Sequence, residues 1–262
     1  MYQSHVASYW QLCASLEGCI GVGKSTLLER LRDTQALVHA LRSHIKGREP
    51  VVLLLLEPSE AWEEDGTLAD FNRRLKADSR HLVADEEKKQ TIKQLDDELR
   101  EMGAFFFQVN AFTSRIDFIR AAVEETPQYD LLLVERSVLA DRYVFWENQE
   151  VSETTRRIYE NIWDKWYHFI PKINCVFLLQ TSMAEIQRRI IKRSRRAEGI
   201  IPTWYLEKLE TSHQRYFGKD SEDKLADIHV NTIDVTKDHT TDHEAFVTIV
   251  RAMIDTMLAL KK

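Results

Sequence analysis

The chain is poor in the residues that punctuate β-rich folds. Its 262 residues hold eight glycines and five prolines, together roughly half the usual share. A Gly/Pro-rich β-sandwich is therefore a poor fit, and helices are expected to dominate. Cysteine is scarce too. Cys13, Cys19 and Cys175 are odd in number and form no C-x-x-C pair. That argues against a disulfide framework or structural zinc and for a reducing compartment. Long hydrophobic runs are missing: the longest aliphatic stretch, Val51–Leu56, has six residues, whereas a bilayer-crossing helix needs about 20. Met1–Ser8 carries neither a basic cluster nor an apolar run, so no secretory signal is visible and a cytoplasmic location, away from membranes, is expected. Nor is there an excess of positive charge. The net charge of −6 speaks against general nucleic-acid binding, which needs a large cationic surface.

What is present reads as one folded unit. Apolar residues make up 44% and charged residues 30%, ordinary globular usage, and no linker or repeat divides residues 1–262. Five short apolar runs read as strands: Trp10–Glu17, Val51–Glu57, Leu131–Glu135, Asn174–Gln180 and Ile228–Val235. Most are continuously apolar rather than alternating, as in a strand buried on both faces of a parallel sheet. Helical patterns lie around them at Lys24–His44, Gly66–Leu75, Glu86–Thr126, Val138–Asn148, Glu153–Phe169, Met183–Arg193, Thr203–Phe217 and Asp242–Leu260. Gly103 predicts a break within the third. Asp85–Glu101 is dense in mixed charge and reads as a solvated helix or insertion. Strands alternating with helices define an α/β fold with a covered parallel sheet.

One motif carries chemistry outright. Gly18-Cys-Ile-Gly-Val-Gly-Lys-Ser25 fits G-x-x-x-x-G-K-[ST] between an apolar strand and a helical pattern. Gly18, Gly21 and Gly23 let backbone N–H groups close around phosphate oxygens at a helix N-terminus. Lys24 is placed to reach the β/γ-phosphates, Ser25 offers a hydroxyl to Mg²⁺, and Thr26 begins the helix behind them. A nucleoside triphosphate, ATP, is the expected ligand.

Four further segments narrow the class. Glu57-Pro58 closes the second strand, so Glu57 stands at the carboxyl edge of the sheet and is able to take a proton from an attacking hydroxyl. Glu135-Arg136-Ser137 closes the third, where an acid serves as a Mg²⁺ partner. Gln108 and Arg115 are seven residues apart on one helix face. A Gln amide there suits a base edge, and the Arg suits a carboxylate. Arg188–Arg196 holds six cations in nine residues. On pattern alone this run reads as a nuclear-localisation or RNA-binding patch. Its place at a helix end in an acidic P-loop protein favours an arginine-rich lid over phosphates, spanning 188–201.

Taken together, Glu57-Pro58 with Trp62, Phe107-Gln108 with Ser114-Arg115-Ile116, Glu135-Arg136-Ser137 with Asp141-Arg142-Tyr143, and Arg189–Pro202 with Tyr205–Leu209 resemble the deoxynucleoside kinase family. The resemblance runs from about residue 12 to 236 and leaves residues 1–11 as an N-terminal extension. It implies a P-loop kinase fold with a five-stranded parallel sheet flanked by helices, and a homodimer joined through helices. The implied reaction is ATP- and Mg²⁺-dependent phosphorylation of a deoxynucleoside 5′-hydroxyl, a salvage step. Under it Glu57 corresponds to the general base, Arg136 to the residue orienting that base and the hydroxyl, and Glu135 with Ser25 to the Mg²⁺ shell. Arg189, Arg193 and Arg195 align with the lid arginines, Glu198 with a deoxyribose 3′-hydroxyl contact, and Asp234 with the loop that senses the donor base. Trp62 and Phe107 would wall the acceptor base. The chain departs from the pattern where the family places a second 3′-hydroxyl contact, a Tyr about eleven residues before the Gln. Leu95-Asp-Asp-Glu98 stands there instead.

Three positions tune the acceptor pocket in the resemblance: Ala111, Arg115 and Asp141. The Arg and Asp group the chain with kinases of cytosine and purine nucleosides. Such a pair fills the space a thymine 5-methyl needs and offers donor and acceptor to a base edge. The expected substrate is a purine deoxynucleoside, deoxyadenosine first, with deoxycytidine and deoxyguanosine as alternatives. A nucleoside monophosphate kinase shares P-loop and lid but has no need of the Glu57 base. A GTPase needs an N-K-x-D motif, and none occurs. A silent nucleotide sensor, or an ATPase using the cationic run on nucleic acid, leaves Lys24, Glu57 and Arg136 without purpose.

Overall fold

The computed structural model describes residues 10–74, 86–193, 201–218 and 228–261. Five strands, β1 (Leu12–Glu17), β2 (Val52–Leu55), β3 (Leu131–Glu135), β4 (Cys175–Gln180) and β5 (His229–Asp234), form one sheet in the order β2-β3-β1-β4-β5. Every pairing is parallel. Helices are α1 (Lys24–Asp33), α2 (Ala36–Leu41), α3 (Ser59–Glu64), α4 (Thr67–Arg74), α5 (Glu86–Glu125), α6 (Val138–Ala140), α7 (Glu153–Trp166), α8 (Met183–Arg193), α9 (Thr203–Phe217) and α10 (His243–Leu260). The α/β expectation and the five-stranded parallel sheet are thereby met.

Continuous apolar strands work here because both faces are covered. From β1, Leu12, Ala14 and Leu16 pack with Leu27, Leu28 and Leu31 of α1 and with Phe246, Ile249 and Met253 of α10. The intervening Cys13 of β1 and Leu132 and Val134 of β3 face Phe107, Ala111 and Ile119 of α5 and Leu206 and Leu209 of α9. All three cysteines are buried free thiols. Outside the sheet, Phe112 and Ile116 of α5 clamp Val138, Trp146, Tyr159 and Trp163.

The central strand β1 lies between β3 and β4, so connections diverge on either side of its carboxyl end. A crevice at such a switch point is where ligands bind in open parallel sheets. The P-loop follows β1, Glu57 follows β2 and Glu135 ends β3, and these three strands are neighbours.

Element boundaries differ from the sequence reading in instructive ways. Gly103 does not break α5, which runs unbroken for 40 residues. Its missing side chain has a packing role instead, because a Cβ there would run into the Arg74 side chain of α4. Lys24–His44 divides into α1 and α2 at Gln35, a non-glycine residue at φ 48°. Gln11, at φ 51°, stops β1 from beginning at Trp10. Beyond α6, Asp141–Trp146 winds as a π-helix, a rare widening that gathers at functional sites. The one-and-a-half-turn α3 was invisible to periodicity because it is too short to repeat.

Candidate active site

The P-loop is shaped by what its glycines avoid. Gly18 sits at φ 131°, where a Cβ would lie 2.5 Å from the Leu179 carbonyl oxygen, and at Gly21 (φ 84°) one would lie 2.6 Å from Ile190 Cγ1. A side chain at either position would be strained in conformation and crowded by its neighbours. Lys24 lies buried against the loop, its Nζ donating to the carbonyls of Gly18 and Cys19 at 3.0 Å each. Burial, then the neighbouring Arg136 charge, pull its pKa down to about 8, against the opposing pull of Glu135 and Glu57.

Two carboxylates complete the polar floor. Ser25 Oγ donates to Glu135 Oε1 at 2.6 Å, while Glu135 Oε2 accepts the Glu57 backbone N–H at 3.2 Å. Glu57 is held by two arginines. Arg115 Nη2 donates to Glu57 Oε1 at 2.9 Å, and Arg136 Nε lies 3.4 Å from the same oxygen. Burial opposes ionisation of Glu57, but the charges of Arg136 and then Arg115 outweigh it and hold the carboxyl below its ordinary range. Arg136 adopts φ 62°, a conformation that costs a non-glycine residue about 1–3 kcal/mol and that concentrates where function requires it. Its Nη1 donates to the Gly18 carbonyl at 3.1 Å, and its guanidinium lies 4.6 Å above the Phe145 ring. Behind it, buried Glu17 accepts the Ser137 N–H at 2.7 Å.

Arg115 and Asp141 form a buried bidentate pair, Nε to Oδ2 at 2.9 Å and Nη2 to Oδ1 at 3.1 Å. Burial disfavours the charge on Arg115, yet Asp141 and Glu57 more than compensate and raise its pKa, so it is permanently charged. A third nitrogen, Nη1, donates to the Glu135 carbonyl at 3.1 Å. One guanidinium therefore ties β2, β3 and the π-helix to α5.

These groups line a cavity of about 370 Å³, within the usual range for small-molecule sites. At one end an aromatic box is built from Phe71 and Phe107, stacked with centroids 4.7 Å apart, and from Trp62, edge-on to Phe107 at 5.8 Å. Trp62 is fixed by its indole N–H donating to Ser114 Oγ at 2.9 Å. Ala111 and Gln108 lie on the same wall, and the buried Gln108 amide nitrogen has no partner among the described residues. An unpaired amide costs about 1–3 kcal/mol unless a ligand or water meets it.

At the other end, Arg189 and Arg193 of α8 reach the cavity with the loop Asp238–Thr240. Arg189 is already committed: its nitrogens donate to the carbonyls of Val22 and Val235 at 2.6 Å each and to Glu185 Oε1 at 2.7 Å. It fastens the P-loop to the end of β5. Arg195 and Glu198 fall outside the described residues. Asp234 is not on the cavity wall. It accepts the Thr236 N–H at 2.8 Å in its own loop, and the wall is formed five residues later by His239. That ring is buried with both nitrogens unpartnered among the described residues, and burial pulls its pKa down to about 4.

Sequence reasoning missed several wall residues, among them Phe71, Phe145 and His239, because single aromatics and a loop histidine carry no pattern. It also missed the Arg115–Glu57 contact, which joins helix and strand residues 58 positions apart.

A P-loop on a parallel sheet, with a lysine, an arginine and two carboxylates around one cavity, defines a P-loop kinase. The family model described as deoxynucleoside kinase matches residues 14–258, and the chain belongs to that family. It is 28% identical over 259 residues to mouse deoxycytidine kinase, covering 93% of this chain and 91% of the relative. The human deoxycytidine kinase is 27% identical with the same coverage, and chicken deoxycytidine kinase 2 is 26% identical over 87% of this chain and 83% of its own length. The protein is thus a nucleoside-phosphorylating enzyme with ATP as the phosphoryl donor its family implies. Among the described residues no helix is long and apolar enough to cross a membrane.

Proposed function

We propose that the chain transfers the γ-phosphoryl of ATP to the 5′-hydroxyl of a deoxyribonucleoside lacking a 5-methyl group. The observation that carries this reading is Glu57, ionised by two arginines and set on one cavity with Lys24 and the P-loop. Phosphoryl transfer asks mainly for positioning and charge stabilisation. Glu57 accepts the 5′-OH proton, Arg136 orients that hydroxyl and Glu57, and Lys24 neutralises the phosphates, with Arg193 and Arg195 closing from the lid. The base enters the Trp62–Phe71–Phe107 box and meets the unpaired Gln108 amide. Glu198 is assigned to the 3′-hydroxyl.

The Ser25 hydroxyl and Glu135 carboxylate suit Mg²⁺. No cage of three His, Cys, Asp or Glu exists among the described residues, and Mg²⁺ favours one or two protein oxygens completed by phosphates and water. When bound, the ion would offset phosphate charge.

The Arg115–Asp141 pair supports cytosine or purine over thymine. The named relatives are deoxycytidine kinases, and nothing lining the box favours adenine, so deoxycytidine stands ahead of the purine expectation with deoxyadenosine second. A homodimer is supported by an exposed stripe on α5, Leu95, Leu99, Met102 and Phe106, and by exposed Ile158 and Trp166 on α7, since a soluble monomer rarely leaves such stripes uncovered.

The test is a kinase assay with ATP against deoxycytidine, deoxyadenosine, deoxyguanosine, thymidine and their monophosphates. Phosphorylation of deoxycytidine or a purine deoxynucleoside is expected. Turnover of monophosphates alone would overturn the reading.

A further inference from the structure

Behind the aromatic box lies a second cavity of about 590 Å³, again of small-molecule size. Its walls come from the faces of three helices and from the segment Asn148–Val151. Along α5, Lys93, Asp97, Arg100 and Ala104 recur at i, i+4, i+7 and i+11, so one stripe of the charge-dense segment points inward. This stripe is offset by two residues, roughly 200° of helix rotation, from the apolar Leu95–Phe106 stripe, and so lies on the other side of α5. From α9 come Trp204 and Lys208, and from α4 comes Arg74.

The charge balance is positive in an acidic protein: Arg74 is paired with Asp70 at 2.6 Å and Arg100 with Asp97 at 2.9 Å, which leaves Lys93 and Lys208 on the wall against Glu150 alone. Lys93 has no partner among the described residues, and Lys208 meets Glu150 only at 3.6 Å. A small cavity with surplus cations attracts an anion, because its low-dielectric walls concentrate the field. A planar ring has a place as well. Trp204 is 48% exposed, with the Lys208 ammonium 5.2 Å from its ring centroid. Phe71 and Tyr205 line both cavities, and Phe71 carries the stack onto Phe107.

We infer that this cavity is a second binding site, taking a phosphate monoester that bears a planar ring, with the phosphate on Lys93 and Lys208 and the ring against Trp204. A nucleoside monophosphate has this chemistry, whether it is the enzyme's own product or comes from elsewhere. Because Phe71 is shared, occupancy is coupled to the acceptor pocket.

The experiment is calorimetric titration of the full chain with deoxycytidine monophosphate, deoxyadenosine monophosphate and inorganic phosphate. One binding event is expected to weaken at least tenfold in K93E/K208E, while nucleoside kcat and KM without added monophosphate stay unchanged. W204A is expected to weaken the same event for the monophosphates and leave inorganic phosphate unaffected. If only one of the two monophosphates binds there, the ring is read in detail and the site still stands. Identical isotherms for wild type and K93E/K208E would overturn the inference, as would inorganic phosphate binding as tightly as either monophosphate. Neither outcome depends on the kinase reading, which the same preparations report separately through ATP-dependent turnover.

Discussion

Arg115 has two tasks in this pocket, and separating them gives a sharp prediction. Its guanidinium meets both oxygens of Asp141 and one oxygen of Glu57, and the Arg115 and Asp141 side chains are 3% and 2% exposed. Removing one member of a buried pair costs about 3–5 kcal/mol, because the other is left uncompensated. The two single changes are not equivalent. Arg115→Met strands Asp141 and takes one of two cations from Glu57, so it belongs at the upper end of that range. Asp141→Ala leaves Arg115 paired with Glu57 and belongs at the lower end. At about 2–4 °C per kcal/mol for a chain of this size, Tm falls by roughly 10–20 °C in the first and 6–12 °C in the second. The double change strands only Glu57, which is 18% exposed and still 3.4 Å from Arg136, so its loss should be smaller than the sum of the singles.

Activity divides in the same way. Removing both side chains opens volume for a 5-methyl group, so thymidine should gain on deoxycytidine and deoxyadenosine in kcat/KM, with each single change poorer than the double. Yet kcat on every substrate should fall, because Glu57 has lost Arg115. The pH profile identifies the cause. As the proposed base, Glu57 must be a carboxylate, so activity should disappear as pH falls through its pKa. Losing an arginine that holds that pKa down moves the acid limb to higher pH. The assays are thermal unfolding and kcat/KM for four nucleosides between about pH 3.5 and 8, a window reaching below the ordinary glutamate value, in wild type and three variants. An Arg115→Met enzyme as stable as Asp141→Ala, or a double variant with unchanged base ranking and an unmoved acid limb, would refute this account.

Glu57→Gln keeps the shape and loses the base, and kcat should drop roughly 10²–10⁴-fold with ATP affinity nearly intact by equilibrium dialysis. Lys24 titrates near pH 8 in the free protein and must be charged to hold phosphate. ATP affinity should therefore weaken above that pH, approaching tenfold per unit, and a flat Kd from pH 7 to 9.5 would contradict it. Arg193→Ala and Arg195→Ala should lower kcat on nucleosides without changing RNA retention in a filter assay; intact catalysis with lost RNA binding would restore the nucleic-acid reading of the cationic run.

Much of the cavity's polar floor was legible because it is local in sequence. Gly18–Ser25 is contiguous, and Glu57, Glu135 and Arg136 each follow an apolar run whose end fixes where the side chain stands in a parallel sheet. Gln108 and Arg115 share a face because helical periodicity requires it. The unread part is what depends on tertiary contact. Gly103 looks like a helix breaker until the Arg74 side chain is seen lying where its Cβ would be. Gln35 bends the chain without a glycine or proline to announce it. Arg189 reads as one more lid cation, but it lines the cavity while also holding Val22, Val235 and Glu185 by hydrogen bonds. Spacing on a helix tells which residues point the same way; it does not tell what already occupies them. The same limit explains Arg115. Its position predicted a partner carboxylate, and only the packing of β2 beside β3 revealed that there are two, one of them the proposed base. In the proposed reading, base choice and the strength of the Glu57 base are joined through a single guanidinium, and a substitution meant to change the first also changes the second.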